Sequence, residues 1–205
     1  NPKIFVGYSD ITTLHMLFNQ QADLVTFHGP MVSSNIVDSF DDETAKAFFE
    51  ALNGDKEYEF KNPAGFPIEV MKEGKAEGPV IGGNLSLISA AMGTPYEMDA
   101  KGKIIFFEEV SEPVTKIEKW CYHLKNSGKF KDCKGILLGQ FTDITNEFMP
   151  EYTVIDCIRE IIDDVDVPVM YNLQAGHGEK NITIPFGTNC IMDTEKKSIT
   201  FDIDR

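Results

Sequence analysis

Apolar residues recur along this 205-residue chain with two different spacings. Short runs of consecutive apolar residues have the length and composition of buried strands. They lie at positions 3–7, 24–28, 103–107 and 135–140. Between them, apolar residues return every three or four positions, which is the spacing of one helix face, as at Val114, Ile117, Cys121 and Leu124. The pattern therefore predicts strands and helices in alternation.

Such alternation is typical of the α/β class, in which helices cover a mostly parallel sheet. From position 181 onward the pattern changes to short strand-like runs joined by turns, which predict an added antiparallel rim. Residues 57–78 contain short β-prone runs broken by an Asn-Pro-Ala-Gly sequence, and we interpret them as a linker or hairpin. They would separate a nucleophile-bearing unit at 1–56, whose last helix is capped by Gly54, from a larger unit at 79–205.

Short polar residues precede two of the predicted helices. Asn84 can cap a helix that carries Leu85 and Ile88, and Thr153 with Asp156 can form a capping box on a later helix. Side chains of this kind accept hydrogen bonds from the first N–H groups of a helix, which have no partner within it. The two sites therefore predict where these helices begin.

The first predicted strand runs into a sharp turn, Gly7-Tyr8-Ser9-Asp10, and then into a helix. A serine at the apex of such a turn has its hydroxyl clear of the sheet, beside the next backbone N–H and a helix N-terminus. Ser9 would then be a nucleophile, and the Asp10 N–H would stabilise an oxyanion. The same position also suits a helix N-cap, for which serine is favoured. Spacing alone leaves both interpretations open.

Eight residues precede Ser9, and the first is Asn1 rather than methionine. They are too few to form the strands that should flank a nucleophile turn. We therefore expect the chain to be a fragment or a processed piece, with part of its supporting sheet elsewhere.

In open parallel sheets, functional groups gather beyond the carboxyl ends of the strands. Glu108 follows the strand predicted at 103–107, and His177 lies between two glycines after a strand predicted at 168–171. Together with Ser9 they supply a nucleophile, a base and an acid from three separate strands. A surface acid at a strand end is the more frequent case for a glutamate in the position of Glu108, and the adjacent Glu109 leaves open which of the two points inward.

Three other histidines compete with His177 for the role of base. His15 lies near the apolar stripe of the first helix and is interpreted as a packed core or boundary residue. His123 lies beside lysines on a helix and is expected to be exposed. His28, at the end of the strand predicted at 24–28, is the serious competitor because it could line the same cleft.

Charge and cysteine content exclude several classes of function. The net charge of −14, from 33 acidic and 19 basic residues, makes nucleic acid and anionic membranes unfavourable partners. No run approaches the ~18 uninterrupted apolar residues of a membrane span. The four cysteines have neither Cys-x-x-Cys spacing nor a histidine cluster, so we expect no metal site, reduced structural thiols and a cytoplasmic location.

Four separated motifs then occur in one order along nearly the whole chain. They are Gly7-Tyr8-Ser9-Asp10, Gly82-Gly83-Asn84-Leu85, Phe107-Glu108-Glu109-Val110 and Gly176-His177-Gly178. In this order they resemble the LD-carboxypeptidases, serine peptidases that trim muropeptides. The resemblance implies a Rossmann-like domain carrying the nucleophile and a C-terminal domain carrying the glutamate and the histidine. It also implies a further N-terminal portion with the first strands and a second oxyanion donor.

Carried over by motif, Ser9 is the nucleophile, His177 the base and Glu108 its orienting acid. The implied reaction releases terminal D-alanine from muropeptide tetrapeptides during peptidoglycan recycling, without a metal or an organic cofactor. Gly83, Asn84 and Lys180 are candidates for binding the substrate. We expect a muropeptide and a second copy of the chain as partners.

Three different functions stay open beside this one. The same family includes peptidases that resemble microcin C self-immunity proteins and hydrolyse a peptide–nucleotide conjugate. The order serine, acid, histidine also fits an α/β-hydrolase, although the sequence after Ser9 lacks that fold's small residue. Finally, the chain could be an inactive fragment with a binding role only.

Overall fold

The N-terminal and C-terminal parts of the chain contribute strands to the same two β-sheets. The computed structural model describes residues 3–53 and 57–203, so Asn1 and Gly54 lie outside the described residues. The helices of the described ranges are α1 (Thr12–Ala22), α2 (Val37–Ser39), α3 (Asp42–Leu52), α4 (Leu85–Ala91), α5 (Val114–Asn126), α6 (Lys129–Asp132) and α7 (Val154–Ile161). The strands are β1 (Val6–Gly7), β2 (Thr26–His28), β3 (Glu57–Phe60), β4 (Glu69–Lys72), β5 (Lys75–Asn84), β6 (Ile104–Val110), β7 (Gly135–Thr142), β8 (Val169–Tyr171), β9 (Ile184–Phe186), β10 (Asn189–Asp193) and β11 (Ser198–Asp202).

The larger sheet has the strand order β3-β11-β10-β5-β6-β7-β8-β4. Its central strands, β5 to β8, run parallel, and helices α4, α5 and α7 lie in the connections between them. The other strands pair antiparallel on both sides of this centre. The prediction of an α/β fold with a mostly parallel sheet and added antiparallel strands is confirmed.

Side chains of β6 alternate between two buried clusters, one on each face of the sheet. Ile105 and Phe107 pack with α4, α5 and α7, whereas Ile104 and Phe106 pack with Phe27 and with β9, β10 and β11. Burying each of these side chains contributes about 1.5–3 kcal/mol to the free energy of unfolding. β6 therefore stabilises the buried clusters on both faces of the sheet. Because strand side chains alternate, the next two residues of β6 also point to opposite faces.

The smaller sheet has the order β1-β2-β9 and joins the two ends of the chain. β2 runs parallel to β1, with His28 opposite Gly7, and antiparallel to β9, with His28 opposite Ile184. This pairing fixes the turn at Ser9 beside the C-terminal segment that carries His177.

Residues 57–78 do not form the hairpin that was one of the two predictions for this segment. β3 pairs with β11 at one edge of the large sheet, and β4 pairs with β8 at the opposite edge. β3 and β4 are thus the two edge strands of the larger sheet, and their backbone groups pair with the strands that would otherwise lie at its edges. The segment also contains the start of β5, so it contributes three strands to the sheet. The division of the chain into units at 1–56 and 79–205 stays a prediction.

Short polar side chains cap the N-termini of α3 and α7. Asp41 caps α3 by accepting hydrogen bonds from the Glu43 and Thr44 N–H groups. Thr153 and Asp156 form the predicted capping box at the start of α7. Each such cap stabilises the helix by about 1 kcal/mol.

All four cysteines are buried and unpaired, as expected of structural thiols. Burial raises the pKa of the Cys133 thiol to about 12, which keeps it protonated and unreactive at neutral pH. Between residues 3 and 203, with 54–56 aside, no helix is both long enough and apolar enough to cross a membrane. Over the same residues, no group of three or more histidine, cysteine, aspartate or glutamate side chains is arranged to hold a metal ion.

Candidate active site

Ser9 lies at a strained turn between β1 and α1. Its φ angle is +63°, in the left-handed region that non-glycine residues rarely adopt, and Gly7, two positions earlier, has a φ of +150°. Strain of this kind costs roughly 1–3 kcal/mol and persists where the surroundings enforce it, often at functional sites. Ser9 opens a short 3-10 turn whose N-cap is Tyr8, and the N-cap of α1 is Ile11. Ser9 is therefore not the helix N-cap, which was the second interpretation of this serine.

Asp10 is the second residue of that turn, and its side chain is exposed. The first N–H groups of a helical turn have no partner within the helix. The Asp10 N–H is one of these groups and lies directly after Ser9. Its role as an oxyanion donor stays a prediction.

Glu108 and His177 are joined by a short hydrogen bond. His177 Nδ1 lies 2.7 Å from Glu108 Oε2, and the Glu108 side chain is completely buried whereas that of His177 is 16% exposed. A carboxylate only accepts hydrogen bonds, so Nδ1 carries the proton and Nε2 is left as the basic atom. The Tyr8 ring contacts the His177 ring edge to face, with centroids 4.7 Å apart. The residue before Ser9 is thus in contact with the candidate base.

Glu108 stays ionised although it is buried. Burial favours the neutral acid, but the His177 hydrogen bond and the nearby His28 imidazole outweigh it and hold the pKa of Glu108 below its usual value. An ionised carboxylate on Nδ1 fixes the tautomer of the histidine and stabilises its protonated form. The pair therefore has the electrostatics of a base and its orienting acid.

The loop that carries His177 packs tightly onto the end of the sheet. A Cβ atom at Gly176, where φ is +136°, would come 2.9 Å from Glu108 Oε2. The Gly178 N–H donates to Gln140 Oε1 over 2.8 Å, and Gln140 Nε2 donates to Gln174 Oε1. The glycines thus allow the close approach, and Gln140 anchors the loop from β7. Gln140 was not among the site residues predicted from the sequence. It nevertheless ends the apolar run at 135–140, a position comparable to that of Glu108 after the run at 103–107.

Glu109 has a different function from its neighbour. Its carboxylate accepts hydrogen bonds from the Ser86 N–H at 2.8 Å and from Asn84 Nδ2 at 2.9 Å, at the N-terminus of α4. Asn84 is at the N-cap position, but its side chain does not accept from the helix backbone, so Glu109 supplies the cap that we predicted for Asn84. The carboxylate also complements the positive end of the helix dipole.

The three residues expected to bind substrate are engaged by the protein itself. Gly83 is buried, and a Cβ atom there would come 2.3 Å from Thr12 Oγ1. The Asn84 N–H donates to that same hydroxyl. Lys180 forms a hydrogen-bonded ion pair with Asp41, with 2.8 Å between Nζ and Oδ1. Burial alone would raise the pKa of Asp41, but the hydrogen bonds from Lys180 and Thr44 lower it to about 2. A role in substrate binding for these residues stays a prediction.

His15 is a buried residue, as predicted, and it supports the nucleophile turn. Its Nε2 lies 2.9 Å from the Gly7 carbonyl oxygen and its Nδ1 lies 2.8 Å from Thr26 Oγ1. The carbonyl can only accept, so Nε2 donates to it and Nδ1 accepts from the threonine. A neutral imidazole thus holds the residue two positions before Ser9.

We expect His15 to make the protein less stable in acid. Burial and the nearby His28 lower the pKa of His15 from 6.5 to about 3, against the opposing Gly7 hydrogen bond. Between pH 6.5 and about pH 3, His15 binds a proton in the unfolded chain but not in the folded one. The free energy of unfolding therefore falls as the pH decreases below 6.5. The loss is about 2 kcal/mol at pH 5. In urea unfolding at pH 7 and pH 5, His15→Gln should show a smaller decrease than the wild type. His123→Gln, a change at an exposed histidine, is the control, and equal decreases in all three proteins would contradict the prediction.

Two family descriptions and several known proteins match this chain. Residues 77–192 match the LD-carboxypeptidase C-terminal domain, and residues 1–29 match the LD-carboxypeptidase N-terminal domain. The chain is 35% identical over 205 residues to a probable murein peptide carboxypeptidase of Bacillus subtilis (strain 168), and the alignment covers 98% of this chain and 63% of that relative.

Solved structures share the fold. A muramoyltetrapeptide carboxypeptidase from Oxalobacter formigenes superimposes with a TM-score of 0.84 at 26% identity, over 97% of this chain and 68% of that one. The microcin C7 self-immunity protein MccF in its wild-type apo state gives a TM-score of 0.90 at 24% identity, over 98% of this chain and 68% of that one, which is a likeness of fold. On the domain matches and the identity to the Bacillus relative, the chain belongs to the LD-carboxypeptidase family.

Proposed function

We propose that this chain carries the catalytic residues of a serine-type LD-carboxypeptidase that releases terminal D-alanine from muropeptide tetrapeptides. The observation that carries the proposal is the 2.7 Å hydrogen bond between buried Glu108 and His177, beside the strained turn at Ser9. Family membership and the description of the Bacillus relative support a murein peptide as the substrate class. The four unpaired cysteines support a reducing, cytoplasmic setting for the reaction.

Acylation begins when His177 Nε2 accepts the proton of the Ser9 hydroxyl. Oγ attacks the carbonyl carbon of the amide between the L-centre of the diamino acid and D-alanine. The negative charge on the carbonyl oxygen is stabilised by the Asp10 N–H, and one such donor contributes ~10²- to 10³-fold in rate. His177 then donates its proton to the departing nitrogen as the C–N bond breaks, and D-alanine leaves.

Deacylation follows the same proton route in reverse. A water molecule gives a proton to His177 Nε2 as its oxygen attacks the ester carbonyl, and the proton returns to Ser9 Oγ as the ester C–O bond breaks. Glu108 holds the imidazole through Nδ1 in both steps and stabilises its charged form. The products are a tripeptide with a free carboxylate and D-alanine.

The stereochemistry of the scissile bond gives the sharpest test of this function. The natural protein that contains this chain is incubated with a tetrapeptide ending in D-alanine and with its L-alanine diastereomer, and free alanine is quantified by mass spectrometry. We expect release from the D-terminal peptide and at least a 100-fold lower rate with the L-terminal one, since a site shaped for one configuration misplaces the other. Equal rates would refute the assignment. Assaying the chain alone beside the natural protein tests the hypothesis of an inactive, binding fragment.

Two competing hypotheses concern the type of hydrolase. Because the chain belongs to the LD-carboxypeptidase family, we no longer pursue the hypothesis of an α/β-hydrolase. The microcin-immunity hypothesis is tested in the same assay by adding a peptide–nucleotide conjugate as a third substrate. If the protein hydrolyses only the conjugate, the muropeptide assignment is wrong.

A further inference from the structure

His28 is a fully buried imidazole that the proposed mechanism does not use. Its side chain and that of Glu108 are both 0% exposed, and His28 Nε2 lies 3.9 Å from Glu108 Oε1. Within the described part of the chain, neither ring nitrogen of His28 nor Glu108 Oε1 has a hydrogen-bond partner. Buried polar atoms are almost always paired, so an unpaired imidazole nitrogen and an unpaired carboxylate oxygen 3.9 Å apart call for an explanation.

The surroundings of His28 leave Glu108 as its natural partner. The rings of Phe106, Phe186 and Tyr8 surround the imidazole, with centroids 5.0, 5.5 and 5.9 Å away. The His15 ring also faces it, at 6.4 Å, and both nitrogens of His15 are already engaged. His28 is also held by its backbone, because β2 pairs on both sides in the small sheet.

We propose that His28 is a positioning residue for Glu108, donating a hydrogen bond from Nε2 to Oε1 while His177 Nδ1 donates to Oε2. The inference rests on the proposed function, in which Glu108 orients the base. Closing the 3.9 Å separation to hydrogen-bond length needs a shift of about 1 Å. Each carboxylate oxygen then has one imidazole donor, which fixes the plane of the carboxylate and hence the direction of the His177 ring.

The protonation of His28 follows from this geometry. The Glu108 carboxylate only accepts hydrogen bonds, so a neutral His28 must carry its proton on Nε2. This tautomer is directly observable in the unmodified protein, because the two ring nitrogens of a histidine have distinct ¹⁵N shifts in each tautomer. A wild-type His28 with its proton on Nδ1 would overturn the proposal.

Two substitutions separate positioning from packing. His28→Phe keeps a ring among the aromatic neighbours but removes the donor. His28→Gln keeps an N–H near the position of Nε2 and does not titrate. If the donor orients Glu108, we expect His28→Phe to lower kcat by about 10- to 100-fold, with KM changed by less than about threefold, and His28→Gln to recover most of the loss.

The pH profile gives a readout that packing alone would not move. Without the His28 donor the Glu108 carboxylate is more basic and binds the protonated His177 more strongly. The acid limb of kcat/KM should therefore move to higher pH in His28→Phe, by about half a unit, and stay near the wild-type position in His28→Gln. Equal losses of kcat in both variants, with an unmoved acid limb, would show a packing role only and overturn the proposal.

A substrate-free measurement keeps this inference distinguishable from the proposed function. The His177 Nδ1–H resonance, which reports its bond to Glu108, is recorded by NMR in the wild type and both variants. A changed resonance in His28→Phe and a restored one in His28→Gln support the pairing even if no D-alanine is released, in which case the proposed function alone fails. An unchanged resonance in both variants refutes the pairing even if the enzyme is active.

Discussion

Replacing Ser9 with alanine is expected to lower the rate of D-alanine release by about 10⁴- to 10⁶-fold. The change removes the only atom that attacks the amide in the proposed mechanism. His177 and Glu108 keep their hydrogen bond, since Ser9 takes no part in it. The measurement is kcat/KM for the D-terminal tetrapeptide, with circular dichroism to verify the fold.

Ser111 offers a matched control for this substitution. It is another serine in the left-handed region, with a φ of +56°, and it is exposed directly after β6. Ser111→Ala changes a hydroxyl at a comparable backbone angle without touching the candidate site. We expect it to keep wild-type activity. If Ser9→Ala loses no more activity than Ser111→Ala, Ser9 is not the nucleophile.

Replacing Glu108 with glutamine is expected to lower kcat by about 10⁴-fold. The amide has no charge to stabilise the protonated His177, and its NH₂ group can donate to Nδ1 and so favour the tautomer in which Nε2 is not basic. The fold should tolerate the change because the two side chains have nearly the same shape. Steady-state kinetics at saturating substrate measure the effect.

Glu109→Gln is the matched control, one residue away on the opposite face of the same strand. It removes the charge at the N-terminus of α4, so we expect a loss of about 1–3 kcal/mol in the free energy of unfolding and a change in kcat of less than tenfold. A decrease in kcat as large as that of Glu108→Gln would mean that the two glutamates are not divided between catalysis and capping.

The two adjacent glutamates show which parts of the site can be predicted from the sequence and which cannot. The rule that functional groups follow parallel strands singled out Glu108 and His177, and the structure brings them to 2.7 Å. The alternation of β6 indicates that two consecutive glutamates face opposite ways. It does not indicate which face holds the histidine, because both faces of this central strand are apolar.

Other features depend on contacts between distant parts of the chain. Glu109 caps α4 in place of Asn84, and Lys180 pairs with Asp41, although neither partner is a neighbour in sequence. β3 and β4 complete opposite edges of the sheet for the same reason. Local patterns predict helix caps such as Thr153 and Asp156, whereas the pairing of edge strands and surface charges follows from the assembled sheet. The substrate-binding roles of Gly83, Asn84 and Lys180, and the homodimer, stay predictions.

Capture of the acyl-enzyme tests the central claim most directly. The natural protein is mixed with the D-terminal tetrapeptide, quenched in acid within milliseconds, digested, and analysed by mass spectrometry for a peptide carrying the tripeptide acyl group. The proposed mechanism predicts that this group is esterified to Ser9 and that the adduct is absent in Ser9→Ala. An acyl group on a different residue, or D-alanine release that persists in Ser9→Ala, would contradict it.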